Sequence, residues 1–207
     1  MDQLRKKSFS FFIGTLLVFL FSSPLAHAAA PYASLSAGLG FLTNSSADDG
    51  VVKVEDVWGF NTGYLVNGAV GLDGDMYRVE AAIGYQSNSI DTLLGIEIPG
   101  DWNWRVSILS FMANGYLDIE SEGSTVTPYL TAGAGIANVS FNDGITSDDD
   151  TVFAYQLGAG IGFEVSEDTT VDVGYRYFAT SDVDPGGYGV DYSMASHNAV
   201  VGVRFAF

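Results

Sequence analysis

The clearest pattern in the chain is a strict alternation of apolar with small or polar residues between Phe153 and Ala179. Such alternation predicts β-strands, because successive side chains of a strand point to opposite faces. The apolar face of the first run comprises Phe153, Tyr155, Leu157, Ala159, Ile161, Phe163 and Val165, and that of the second comprises Val171, Val173, Tyr175, Tyr177 and Ala179. A short polar segment at 166–169 joins the two runs, so the pattern predicts an antiparallel hairpin.

The same pattern predicts six further strands. They cover Tyr32–Leu42, Phe60–Leu72, Tyr77–Tyr85, Trp104–Ile119, Pro128–Ile136 and Met194–Phe207. Long acidic loops alternate with short turns between them, and the four loops are Thr43–Asp56, Ser87–Asn103, Asn142–Asp150 and Thr180–Asp191. An even strand number with short turns at one end and long loops at the other predicts an all-β, eight-stranded antiparallel transmembrane β-barrel.

The balance between the two strand faces supports a membrane location. A soluble sheet exposes a face that is rich in charged residues, whereas here the less apolar face carries mainly glycine, as at Gly158, Gly160 and Gly162. Small residues of this kind are expected to face the lumen of a narrow barrel. No helix follows them, so a phosphate-binding loop is not indicated. The phase of alternation slips near Ile108–Ser110, which predicts a β-bulge in that strand.

The first 28 residues read as a cleaved secretory signal peptide, with residues 29–207 forming a single barrel domain. Arg5, Lys6 and Lys7 precede an apolar core at 9–21, and Ala26-His27-Ala28 is a small-x-small cleavage site. The whole chain has a formal net charge of −17 and contains no cysteine. The negative charge argues against nucleic acid as a partner, and the lack of cysteine excludes disulfides and thiolate chemistry.

Several segments resemble the bacterial surface-antigen and porin-like family of small outer-membrane barrels. They are MANGYLDI (112–119), PYLTAGAGIA (128–137), FAYQLGAGIGFEVSEDTTVDVGYRYF (153–178) and SHNAVVGVRFAF (196–207). The resemblance implies an eight-stranded barrel exposed on the cell surface, whose members differ chiefly in their loops. The last strand also resembles the signal read by the barrel assembly machinery, with Gly202, Phe205 and Phe207 at the expected spacing. Val200 departs from that pattern, which has a polar residue there.

Charged residues on the inward-facing positions predict a plug in the lumen. These residues are Arg78, Glu80, Glu164, Asp172, Arg176 and Arg204. Charges in a confined interior have to be paired, because an isolated buried charge costs several kcal/mol or more. We therefore expect contacts from Asp172 to Arg204 and from Glu80 to Arg176.

No residue pattern indicates catalysis, a metal site or a cofactor. His197 lies in the order Ser196-His197-Asn198, which does not match the His-then-Ser order of small lipid A deacylase barrels, so we expect a neutral ring on the outer face. Asp148, Asp149 and Asp150 lack the spaced ligands of a dedicated calcium loop. A solvated acidic loop is the preferred interpretation of that run.

Three functions fit the sequence. The preferred hypothesis is a surface protein of a Gram-negative-type outer membrane, with a structural and interaction (antigen- or adhesin-like) role through acidic extracellular loops. Its expected partners are outer-membrane lipid and lipopolysaccharide, the barrel assembly machinery, and a host or cell-surface ligand at the loops. The alternatives are a small cation-preferring porin or channel, and a soluble periplasmic ligand-binding barrel whose aromatic face turns inward.

Overall fold

The computed structural model describes residues 29–43, 45–48, 53–74, 76–93, 96–97, 104–142, 147–181, 191–192 and 194–207. The segment assigned to the signal peptide, 1–28, lies outside these residues. The strands in the described ranges are β1 (Ala30–Leu42), β2 (Ser45–Asp48), β3 (Lys53–Phe60), β4 (Gly63–Asp73), β5 (Tyr77–Leu93), β6 (Ile96–Glu97), β7 (Arg105–Asp118), β8 (Val126–Asn142), β9 (Ser147–Ser166), β10 (Thr169–Thr180), β11 (Asp191–Tyr192) and β12 (Ala195–Ala206). None of the described segments is an apolar helix of membrane-spanning length.

Eight of these strands close into an antiparallel barrel, as the alternation predicted. Around the barrel the order is β1, β4, β5, β7, β8, β9, β10 and β12. Strand β12 returns to pair with β1, in a register that runs from Tyr32 opposite Ala206 to Leu42 opposite Ser196. We call the end with the short connections β4–β5, β7–β8 and β9–β10 the turn end, and the opposite end the loop end.

The outer surface of the barrel is apolar and aromatic. Large exposed side chains include Tyr64, Tyr77, Tyr155, Phe163, Tyr175, Phe205 and Phe207, and the whole predicted apolar face of β9 is exposed. The soluble-barrel alternative required these residues to turn inward, and it is therefore wrong. Leu72 alternates in phase with Tyr64, Val66 and Val70 and was therefore expected to face outward, but it is buried whereas those three are exposed.

The interior differs from the small, polar lumen that the sequence predicted. Its loop-end half is an apolar core, formed by Leu42, Ile90, Val106, Ile108, Met112, Ala137, Val139, Ala154, Phe178 and Met194. Its turn-end half contains the charged and tyrosine side chains. Inward-facing apolar residues also explain the apparent phase slip in β7. The pairing of β7 with β5 and β8 runs without a register shift, so the predicted bulge is wrong, because Val106 and Ile108 simply face the apolar core.

Several strands continue beyond the lengths predicted from the sequence. Strand β5 runs to Leu93 rather than Tyr85, and the β8–β9 pairing extends to Asn142 opposite Ser147. Asp148–Asp150 therefore belongs to strand β9 and not to a loop. Strands β2, β3, β6 and β11 add to the loop end, where β3 pairs with the end of β5. The loop end is thus built partly from continuous sheet.

Candidate functional site

A buried ion pair is the centre of the turn-end half of the lumen. The Arg78 guanidinium donates to both carboxylate oxygens of Asp118, from Nε at 2.5 Å and from an Nη at 2.8 Å. Their side chains are only 3% and 5% exposed. The guanidinium carbon also lies 4.4 Å from the ring centroid of Tyr116 and 5.2 Å from that of Tyr129. Arg78 is therefore neutralised by a bidentate carboxylate and enclosed by two aromatic faces.

Glu80 is held by neutral donors instead of by an arginine. Its carboxylate accepts hydrogen bonds from Tyr116 Oη at 2.7 Å, Asn114 Nδ2 at 2.8 Å and Tyr32 Oη at 3.1 Å. Gln156 continues this network by donating to Asn114 Oδ1 at 2.6 Å. The donors to the carboxylate lie on β1 and β7, and Gln156 lies on β9, so the network connects three other strands to Glu80 on β5.

Arg204 forms the second ionic cluster of the lumen, nearest the turn end. Its Nη1 lies 2.6 Å from Asp73 Oδ2, and its Nε lies 3.7 Å from Asp172 Oδ2. The guanidinium is 5.6 Å from the ring centroid of Tyr32. The structure thus brings together Asp172 and Arg204, the first pair expected from the sequence, and adds Asp73 to it.

The expected contact between Glu80 and Arg176 is not made. The carboxylate of Glu80 is occupied by its three neutral donors, and Arg176 Nε has no hydrogen-bond partner in the described part of the chain. Arg176 is half-buried because it borders two small cavities of about 30 Å³ each, room for roughly two water molecules apiece. Glu164 is exposed and lines the wider mouth of the lumen at the turn end, apart from the buried clusters.

Two acids and three tyrosines of this network were not predicted from the sequence: Asp73, Asp118, Tyr32, Tyr116 and Tyr129. Asp118 follows Asn114 and Tyr116 at a spacing of two, so the alternation of β7 already placed it inward. Tyr32 and Tyr129 are in the inward phase of β1 and β8 for the same reason. Asp73 was assigned to a turn, and only the extension of β4 to that residue brings it into the lumen.

A second, uncharged network lies beside the apolar core, where Asn88 pairs opposite Val106 and Ser196 opposite Leu42. Gln86 Nε2 donates to Asn88 Oδ1 and to Ser196 Oγ, both at 2.9 Å, and Ser196 Oγ donates to Asn198 Oδ1 at 2.7 Å. Asn88 Nδ2 donates to the backbone oxygen of Gly40 at 2.8 Å. All four side chains are buried. The lumen is therefore filled by ions and tyrosines in its turn-end half, and by amides packed beside apolar groups in its loop-end half.

The residues considered for chemistry lie apart from the lumen. His197 is exposed on the outer face, with Nδ1 2.5 Å from Tyr175 Oη. Asp149 is exposed and accepts a hydrogen bond from Asn138 at 3.0 Å. Among the described residues no three His, Asp or Glu side chains come close enough together to hold a metal ion.

The three residues of the predicted assembly signal lie at the end of β12. Gly202 packs its backbone against Ser36 of β1, while Phe205 and Phe207 are exposed. The backbone nitrogen of Phe207 donates to the carbonyl oxygen of Pro31 at 3.0 Å, and this hydrogen bond joins the end of β12 to the start of β1. Recognition of this strand by an assembly machinery stays a prediction.

A closed antiparallel barrel with an apolar outside and a filled inside defines the class of protein: a small transmembrane β-barrel. Residues 13–207 match the family model described as outer membrane protein beta-barrel domain, and the chain belongs to that family.

Curated relatives agree with this assignment. The chain is 27% identical to the outer membrane protein PagN of Salmonella typhimurium (strain LT2) over 123 residues, which are 50% of this chain and 51% of PagN. It is 28% identical to a 22 kDa outer membrane protein of Rhizobium leguminosarum bv. viciae over 137 residues, which are 63% of this chain and 59% of that protein. The chain thus spans less than two thirds of the length of these relatives. They locate this chain in the outer membrane, and neither has the name of an enzyme.

The fold is also that of a solved structure, Neisserial surface protein A (NspA). The two match with a TM-score of 0.58 and 19% sequence identity, over 86% of this chain and 97% of NspA. At this identity the likeness concerns the barrel alone.

Proposed function

We propose that this chain is a surface protein whose barrel is a structural anchor and whose loop end makes the interactions. The observation that supports this most is the filling of the lumen along its length. Such a barrel can display loops but offers no continuous aqueous path. In this proposal residues 1–28 are removed as a signal peptide and residues 29–207 form the single domain.

The filled lumen argues against the alternative of a cation-preferring channel. Eight strands enclose a space that side chains can just fill. Ions entering from the turn end would meet the ionic cluster of Arg204, and above it the buried pair of Arg78 and Asp118. Further in they would meet the amide network and, beside it, the apolar core around Val106 and Val139, both 0% exposed. Passage would require the side chains in both halves of the lumen to separate.

The loop end has the form and charge of an interaction surface. Pairing of β8 with β9, and of β3 with β5, extends the sheet into the loop end. Fourteen acidic residues occur in the four loop segments named from the sequence. Recognition usually resides in loops on a rigid scaffold. An acidic surface suits a cationic ligand on a host or neighbouring cell, or lipopolysaccharide bridged by divalent cations.

The orientation follows from the assignment of the loop end to the cell exterior. Protease added to intact cells should cut only within the four loop segments. Cutting at Asp73-Gly74, in the turn between β4 and β5, would place the wrong end of the barrel outside.

Adhesion of cells to charged surfaces tests the interaction role. Cells that display the chain should bind a polylysine-coated surface more than cells without it, and polyglutamate should not retain them. Replacing Asp143, Asp148, Asp149 and Asp150 by Asn should weaken the attachment. The matched control converts four exposed acids of the turn end to amides: Glu120, Glu122, Glu167 and Asp168. Equal attachment by the two variants would contradict the proposal.

A further inference from the structure

Three polar aromatic side chains form a patch on the lipid-facing side of the barrel. His197 lies between two tyrosines of β10: its Nδ1 is 2.5 Å from Tyr175 Oη, and its ring centroid is 5.4 Å from that of Tyr177. The ring of Tyr175 is 6.0 Å away at a tilt of 32°. The imidazole is therefore exposed and yet held in one orientation. We call Tyr175, Tyr177 and His197 the His197 patch.

The His197 patch lies near the loop-end edge of the apolar band. Strand β12 runs from Ala195 at the loop end to Ala206 at the turn end, so His197 is its third residue from the loop end. A tilted strand needs about 9–11 residues to cross the hydrocarbon. His197 is therefore at the depth of lipid headgroups, where tyrosines commonly form a girdle. In the orientation of the proposed function, these are the headgroups of the outer leaflet.

The polar atoms of the patch face the lipid, and the side chains beside them on β1 and β12 are apolar. The neighbouring outward positions on β1 and β12 are apolar, including Leu39, Phe41, Ala199 and Val201. When Tyr175 Oη donates to Nδ1, the neutral imidazole carries its proton on Nε2. That N–H and the hydroxyl of Tyr177 are then two donors on an apolar surface, and leaving them without acceptors would be costly.

Lipid phosphates are the charged acceptors at headgroup depth, and a hydrogen bond to a charged oxygen is stronger than one to a neutral acceptor. Five Lys and Arg residues follow residue 28, and three of them, Arg78, Arg176 and Arg204, line the lumen. The outward faces of β1, β10 and β12 carry no Lys or Arg in the described residues. Recognition of an anionic headgroup on this face therefore falls to the neutral donors of His197 and Tyr177.

We propose that the His197 patch binds the phosphate of an outer-leaflet lipid through Nε2 of His197 and the hydroxyl of Tyr177. Tyr175 acts as a positioning residue that fixes the imidazole. Only the choice of the outer leaflet rests on the proposed function. Binding of a lipid phosphate by the patch does not depend on any partner of the loops.

Intact-complex mass spectrometry of the folded barrel in detergent tests this. The probes are bis-phosphorylated lipid A, the same lipid A without phosphates, and phosphatidylglycerol. Wild-type protein should retain phosphorylated lipid A about tenfold better than the dephosphorylated form, in line with a hydrogen bond to a charged group. His197→Phe should remove that preference. Tyr64→Phe is the matched control, because Tyr64 is an exposed loop-end tyrosine on a strand outside the patch.

Each outcome decides the assignment. Preference for lipid A phosphates alone supports the patch and identifies lipopolysaccharide as the source, whereas equal retention of phosphatidylglycerol supports recognition of any lipid phosphate. Equal retention of phosphorylated and dephosphorylated lipid A by wild type would overturn the proposal, as would an unchanged preference in His197→Phe. Heat-modifiable gel migration of each variant shows that it is folded. Adhesion of His197→Phe cells to polylysine should equal that of wild type, which separates failure here from failure of the proposed function.

Discussion

Removing the carboxylate of Asp118 should be among the most destabilising single changes in the barrel. Asp118→Asn keeps the shape of the side chain but leaves the Arg78 guanidinium as an uncompensated charge that is 3% exposed. Breaking a buried pair in this way costs about 3–5 kcal/mol. The rings of Tyr116 and Tyr129, within 4.4 and 5.2 Å of the guanidinium carbon, remain and offset part of that cost. We therefore expect a loss of about 3 kcal/mol.

A double-mutant cycle separates the interaction energy of the ion pair from the effect of removing each side chain. Arg78→Met should cost about as much as Asp118→Asn, because it leaves the carboxylate buried without its partner. The double variant Arg78→Met with Asp118→Asn should cost less than the sum of the single changes, since no unpaired charge remains. The assay is the free energy of unfolding of the folded barrel in urea with lipid vesicles, followed by tryptophan fluorescence.

The control for this cycle is Glu122→Gln. Glu122 is an exposed acid in the turn that follows β7, and its replacement should change the free energy of unfolding by less than about 0.5 kcal/mol. If Asp118→Asn were as mild as this control, or if the two single changes added without coupling, the buried ion pair would not contribute in the way described.

Three further predictions concern glycine packing between strands, the side chain of Arg176 and assembly into the outer membrane. Gly158→Ala should destabilise by about 1–3 kcal/mol, because a Cβ there would lie 2.6 Å from the backbone oxygen of Tyr175, whereas Gly68→Ala, with nothing within 4 Å, should be neutral in the same urea titration. Arg176→Met should cost less than about 1 kcal/mol, since its Nε has no hydrogen-bond partner among the described residues; a loss as large as that of Asp118→Asn would show a strong interaction with Glu80 after all. Phe207→Ala should lower the amount of barrel in the outer membrane of cells while leaving refolding in detergent unchanged, and equal amounts in the membrane would remove the assembly role.

The barrel itself could be predicted because alternation is a local signal. The apolar face of β9, from Phe153 to Val165, is exposed along its whole length as the pattern required. Strand ends were less predictable, since β5 continues to Leu93 through residues that read as loop. That extension depends on pairing with β7, which runs as far as Ser89 opposite Arg105, and with β3 beyond it. Such pairing is set by partners distant in sequence.

The lumen was only partly predictable for a similar reason. Inward phase identified Arg78, Glu80, Asp172 and Arg204, but it could not assign partners around a closed tube. Glu80 is bonded to tyrosine and asparagine donors on two other strands, β1 and β7, which no local pattern connects to it. The apolar loop-end core was misjudged because inward apolar residues such as Ile108 look like a break in the alternation.

Single-channel recording in planar lipid bilayers tests the central claim most directly. The folded barrel should insert without steady conductance, because ion pairs, amides and apolar side chains together fill its lumen along its length. Insertion is verified by protease protection in the same lipid, and a known porin confirms the sensitivity of the recording. Long-lived, large conductance steps from the wild-type barrel would contradict the account and restore the channel hypothesis.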